Sequence, residues 1–130
     1  MFIINLTQHE ATPDQKTEGV VDLPAEQRKR LGEFLTFEEL PSSEEIQQRA
    51  DAIVALAAMN GLGADADEDP WPTAAMVGGA PWLMPALCST LNATGIKPLF
   101  AFSTRESTEA LIDGQVVKAS RFVHRGFITA

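Results

Sequence analysis

Apolar positions in this chain fall into short continuous runs that alternate with stretches of helical spacing. Residues 2–6, Phe-Ile-Ile-Asn-Leu, read as a buried first strand. Thr12-Pro13-Asp14-Gln15 follows with a capping residue, a proline at the first helical position and a glutamine three residues after the cap. That predicts a short helix ending near Gly19, with Val20 and Val21 as a brief second strand. Residues 24–34 favour a second helix that carries Arg28, Lys29 and Arg30 on a solvated face. Ser42 or Ser43 caps a third helix running to about Asn60, and Glu44 and Glu45 suit its positive amino end. Ile46, Ala50, Ile53, Val54 and Ala57 define its buried face.

Residues 62–73 are rich in Gly, Asp and Pro and are expected to form a loop. The clearest signal comes next. An apolar run at 74–77 meets a turn at Gly78-Gly79, a helix is predicted over 81–92, Gly95 stops it, and a second apolar run at 98–102 ends at Ser103. This is the pattern of a β-α-β crossover. Asp113-Gly114 then separates two β-prone runs, a strong hairpin signal, and the returning strand continues through Phe122 and Val123. The expected fold is a single Rossmann-like three-layer α/β domain over residues 1–130. Its central sheet is mostly parallel, with strands 2–6, 74–77 and 98–102 adjacent or nearly so, and a C-terminal antiparallel β-hairpin lies at one edge.

Composition narrows the class. The 130 residues suit one domain, and 45% hydrophobic content is enough for one core. No apolar run approaches the roughly 20 residues of a membrane helix, and the start of the sequence lacks a signal-peptide pattern. Cys88 is the only cysteine, expected to pack rather than react. These features point to a cytoplasmic protein. The net charge of −8 argues against non-specific nucleic-acid binding. The charge is uneven: residues 1–96 hold 5 basic and 15 acidic groups, whereas residues 97–130 hold 5 basic and 3 acidic ones. A small anionic ligand is the partner this distribution allows.

Parallel sheets bind ligands at the carboxyl ends of their strands, which singles out three segments. Thr7, Gln8 and His9 follow the first strand and offer hydroxyl, amide and imidazole groups. Gly78, Gly79 and Ala80 permit close backbone approach at a strand-to-helix turn, although neither a P-loop nor a G-x-G-x-x-G fingerprint is present. Ser103, Thr104 and Arg105 follow the last parallel strand, and Arg105 can make paired hydrogen bonds to a phosphate or carboxylate. His124 and Arg125 form a fourth, basic pair that suits an anion site or a dimer contact. Each has a plainer structural use, as turn, cap or solvated charge. No metal site and no cofactor are expected. Asp65, Asp67 and Asp69 imitate a calcium loop, but Pro70 stands where glycine is needed and Met76 where glutamate is needed. His9, His124 and Cys88 are too few for a zinc site.

With those residues in view, the chain resembles the small CRISPR-associated ring-nuclease-like proteins, relatives of the CRISPR-associated Rossmann-fold sensor domains. The matching features are the opening strand, the segment His9-Glu10-Ala11-Thr12-Pro13-Asp14-Gln15, and the order strand, Gly/Pro turn, helix, strand from Val77 to Arg105. The resemblance implies a homodimer that binds a cyclic oligoadenylate second messenger in prokaryotic antiviral defence. It also implies metal-independent cleavage, in which a ribose 2′-hydroxyl attacks the adjacent phosphate. Arg105 is then the expected phosphate stabiliser, with Thr7 or His9 orienting the ribose. Gln8, Gly78, Gly79, Ala80, Ser103 and Thr104 are the expected ligand contacts. The acidity of the chain and its C-terminal hairpin depart from that family. Two alternatives stand beside it: a non-catalytic nucleotide or small-anion binding module, and a phage or plasmid accessory protein acting through protein contacts such as the acidic segment from Asp65 to Asp69. The Trp71 and Trp82 region and the hairpin are the candidate dimer surfaces.

Overall fold

The first strand, β1 (Ile3–Leu6), is buried along its whole length, which suits a central position with cover on both faces. A computed structural model describes residues 2–61 and 74–130; the acidic segment from Asp65 to Asp69 and Trp71 lie outside the described residues. Helix α1 (Pro13–Thr17) opens with the expected capping box: Thr12 Oγ1 accepts from the Gln15 amide, and Gln15 Oε1 accepts from the Thr12 amide. The chain then turns through Gly19, at a φ of 106°, into β2 (Val20–Asp22).

Helices α2 (Ala25–Leu35) and α3 (Ser43–Gly61) lead to β3 (Ala74–Val77). The Ser42 hydroxyl caps α3 by accepting from the Glu45 amide, and Ala50, Ile53, Val54 and Ala57 are buried as their spacing predicts. Helix α4 (Met84–Ala93) begins three residues later than the sequence pattern suggested. Pro85 explains the delay: it has no N–H for the Pro81 carbonyl, so residues 81–83 form turns in which Leu83 and Met84 bond to Ala80 and Pro81 instead.

The strands form one five-stranded sheet in the order β2-β1-β3-β4-β5. Strands β2, β1, β3 and β4 (Lys97–Ile112) are mutually parallel, and β5 (Gln115–Thr129) is antiparallel to β4. Side-chain alternation divides the core in two. Ile4, Leu6, Ala75 and Val77 join Leu31, Ile53 and Leu87 of the helices in the larger cluster. Ile3, Val20, Ala74, Met76 and Leu99 join Ala11 in a smaller one, against which Phe127 packs. Among the described residues no helix is long and apolar enough to cross a membrane.

One boundary differs substantially from the sequence reading. The last parallel strand does not end at Ser103 but continues to Ile112, paired with β5 throughout. No Gly, Pro, Asn or Asp interrupts residues 99–112, so nothing in the local chemistry turns the chain. The turn comes where Asp113 and Gly114 adopt positive φ angles of 52° and 77°. Pairing of β4 with β3 stops at Leu99, so β4 and β5 leave the body as a long two-stranded ribbon. At the base of that ribbon the register shifts between Phe102 and Ser103; Arg125 is the extra residue, and Gly126 has a φ of 143°.

Candidate functional site

Strand order determines where a cleft can form. From β1 the chain moves to one neighbouring position, β2, and then crosses to the other side of β1 to build β3. The connections therefore diverge between β1 and β3, and the carboxyl ends of those two strands border a topological switch point. A cavity of about 310 Å³ lies there, lined by Thr7, Gln8, His9, Gly78, Gly79 and Ala80 together with Leu35 of α2.

A buried hydrogen-bond network shapes one wall. Asn5, only 3% exposed, donates through Nδ2 to the His9 carbonyl and to Asp22 Oδ1, both at 2.7 Å. Its Oδ1 accepts from the Thr7 amide at 2.9 Å and from the Thr7 hydroxyl at 2.7 Å. Asp22 Oδ1 also accepts from the Ala11 amide at 3.0 Å. Burial pushes the Asp22 carboxyl up, but hydrogen bonds from Asn5 and Ala11 and the charges of Lys16 and Arg28 outweigh it, so the net shift is downward. Asn5 and Asp22 thus tie the loop after β1 to the end of β2.

This network settles what Thr7 can do. Its single hydroxyl proton faces two acceptors, Asn5 Oδ1 and the His9 carbonyl at 3.1 Å. The hydroxyl therefore has no proton to give a ligand, but its lone pairs can accept one from a ligand O–H. The opposite wall is backbone. A Cβ on Gly78 would touch Thr7 Cγ2 at 3.5 Å, and Gly79 adopts a φ of 140°, which disfavours any side chain. No side chain caps α4, which begins shortly after this turn.

Of the residues singled out from sequence, Thr7, Gln8, His9, Gly78, Gly79 and Ala80 come together in this cavity. Ser103, Thr104 and Arg105 are not among its lining. They lie within β4, opposite His124, Val123 and Phe122, because the strand continues where a loop was expected. The Arg105 guanidinium sits over the Phe122 ring at 5.7 Å. The Thr104 hydroxyl accepts from Arg125, which also bonds Glu106 at 2.7 Å. The His124 side chain is buried at the base of the ribbon, its ring tilted against Phe127 at 4.9 Å, with Nε2 3.2 Å from Glu18 Oε1 but outside hydrogen-bond geometry.

Asp22 is the residue that sequence reasoning passed over, and Asn5 was expected only to cap a turn. The signal was present: an asparagine inside a strand buried on both faces must find partners, and an aspartate ending the neighbouring strand is within reach. A larger and more acidic cavity of about 710 Å³ adjoins the first through Gln8, with Lys29, Thr36, Glu38, Glu39 and Arg49 along it. Lys29 therefore borders this cavity, and Arg28 pairs with Glu10 at 3.1 Å. Arg49 is committed to structure: its Nη1 donates to the carbonyls of Glu33, Phe34 and Thr36 at the end of α2, and its guanidinium covers the Phe37 ring at 4.8 Å. Cys88 is half-buried and its thiol is held above its ordinary pKa by burial, which opposes thiolate chemistry. Among the described residues no group of three or more His, Cys, Asp or Glu is placed to hold a metal ion.

Fold and cleft together define a mixed α/β domain with a small polar cavity at the switch point of its parallel strands. The chain belongs to the Uncharacterized protein MJ1673 family, whose model matches residues 1–128. No curated protein and no solved structure matches it.

Proposed function

We propose that the chain is a Rossmann-like, three-layer nucleotide-binding domain whose switch-point cavity takes one nucleotide unit of a cyclic oligoadenylate. The observation that carries this reading is the cavity's chemistry. It joins a hydroxyl that can only accept, the Gln8 amide, whose Nε2 donates to the Thr36 hydroxyl at 3.4 Å, an imidazole in His9 and a glycine turn. A ribose hydroxyl suits the Thr7 acceptor, and a phosphate suits the backbone N–H groups of the Gly79-Ala80 turn. At about 310 Å³ the cavity is at the small end of ligand pockets, so a ring of nucleotides extends beyond it. The sequence resemblance to CRISPR-associated ring-nuclease-like proteins supplies the ligand class and the setting, prokaryotic antiviral defence.

Binding is better supported than turnover. No lysine or arginine lines the cavity, so this chain presents no described cationic side chain to the charge that grows as a phosphodiester is attacked. In the cleavage form of the proposal, the ribose 2′-oxygen attacks phosphorus and its proton passes to His9; the P–O5′ bond breaks, and the 5′-oxygen takes a proton from water to leave as a hydroxyl. A 2′,3′-cyclic phosphate remains.

Titration calorimetry with cyclic oligoadenylates of several ring sizes, linear oligoadenylate and AMP tests binding, and chromatography of the same mixtures tests cleavage. Binding of a cyclic ligand that is lost in Thr7→Val and weakened in Gln8→Ala is expected. Absence of binding to every nucleotide, or undiminished binding by both variants, overturns the reading.

A further inference from the structure

Beyond Leu99, β4 has β5 on one side and, among the described residues, no strand on the other. The open edge runs from Phe100 to Ile112, roughly 40 Å at about 3.4 Å per residue. A two-stranded ribbon of this kind is marginally stable alone. This one also exposes Leu111 at 75%, Phe122 at 74% and Val116 at 62%. An unpaired strand edge with exposed apolar side chains is a template for another strand.

The charges identify the strand. The outer edge belongs to β5, whose charged side chains, Lys118, Arg121 and Arg125, are all basic. Pairing β5 with itself sets like charges together, which blunts that edge. The inner edge belongs to β4, whose sequence is complementary to itself when reversed about Ser107. Placed antiparallel on that centre, Arg105 faces Glu109 of a second copy twice over. Phe102 faces Ile112, Thr104 faces Ala110, and Glu106 faces Thr108 rather than another acid. Directly opposed residues in an antiparallel pair share a face, so each of these pairs can touch.

We infer that two copies of this chain dimerise by antiparallel β4–β4 pairing of their ribbons, centred on Ser107. The ribbons become a four-stranded sheet in the order β5-β4-β4-β5, with the apolar tips Leu111 and Ile112 each laid along the other copy. The two-fold axis passes through Ser107. In this register the second copy's hairpin turn reaches Phe100, the position beside the end of β3, and closes the gap that β3 leaves. Arg105 is thereby an interface residue. The proposal concerns the edge alone and does not depend on which ligand the cavity takes.

The test uses the full chain with Cys88→Ser, so that no native thiol competes. Ser107→Cys places two thiols opposite each other across the axis, and antiparallel partners lie within the Cα separation a disulfide requires. Mild oxidation is expected to give a covalent dimer with Ser107→Cys, and little with Ser120→Cys, which faces Ser107 within one ribbon and is also exposed. By sedimentation, Arg105→Glu is expected to weaken the dimer by about tenfold, since two symmetry-related attractions become repulsions. Arg105→Glu combined with Glu109→Arg is expected to recover most of that loss. A monomer from micromolar to near-millimolar concentration overturns the proposal, as does an open series of larger species. Equal cross-linking at Ser107→Cys and Ser120→Cys also overturns it, because it places the contact elsewhere on the ribbon.

Discussion

Asn5→Asp keeps the shape of the side chain and inverts half of its chemistry. Nδ2, which donates to Asp22 Oδ1 and to the His9 carbonyl, becomes an oxygen that faces two acceptors at 2.7 Å. Two carboxylate charges at that separation repel by about 6 kcal/mol in an effective dielectric of about 20. Widening the gap by about 1 Å leaves roughly 4 to 5 kcal/mol. The Asp22 side chain is 20% exposed, so some of this is screened. We expect Asn5→Asp to lower unfolding stability by about 3–4 kcal/mol near neutral pH, a large share of a typical domain's total.

The pH dependence separates this cause from simple loss of packing. In the native protein the folded Asp22 carboxyl lies below its ordinary value of 3.8, so its contribution is present above that value and is lost as pH falls through the depressed one. In Asn5→Asp the two carboxyls share a site and one of them is raised above its unfolded value. Its penalty is therefore full at neutral pH and shrinks as acid protonates it and lets it donate to Asp22. Urea unfolding followed by far-UV circular dichroism, at several pH values from neutral to about pH 5, measures the gap to wild type. A gap below about 1 kcal/mol at neutral pH, or one that stays constant on acidification, refutes the reasoning.

Further outcomes follow from single contacts. Thr7→Val removes one of the two donors to Asn5 Oδ1 and is expected to cost about 1 kcal/mol in urea unfolding, whereas Thr7→Ser keeps the hydroxyl and stays close to wild type. Gly79→Ala meets only van der Waals contacts at 3.5 and 3.9 Å, so its expected cost of about 1–3 kcal/mol comes from the positive φ and is read as a lowered thermal midpoint. Arg49→Met strips the end of α2 of its donor to three carbonyls and is expected to cost about 2–3 kcal/mol; Arg49→Lys should recover part of that in the same denaturation assay.

Much of the architecture is local and could be read from the chain. The capping box at Thr12 and Gln15, the buried spacing of Ala50, Ile53, Val54 and Ala57, and the Asp113-Gly114 turn are each written within a few residues. The parallel placement of β1, β3 and β4 follows from apolar runs joined by helical crossovers. The convergence of Thr7, Gln8 and His9 with Gly78, Gly79 and Ala80 was also foreseeable, because parallel strands present their carboxyl ends on one side.

Tertiary structure alone decided the rest. Where β4 ends depends on β5: Ser103, Thr104 and Arg105 have no conformational signal of their own, and pairing with His124, Val123 and Phe122 holds them extended. That pairing moved Arg105 from a strand end to a ribbon. Asn5 and Asp22 are 17 residues apart, and their bond exists because β1 and β2 lie side by side. The proton of Thr7 is committed by that same arrangement, so the hydroxyl's role as acceptor belongs to the folded network. Local sequence specifies dihedral preferences and periodicity over a few residues; which distant polar groups meet is determined by strand order and register.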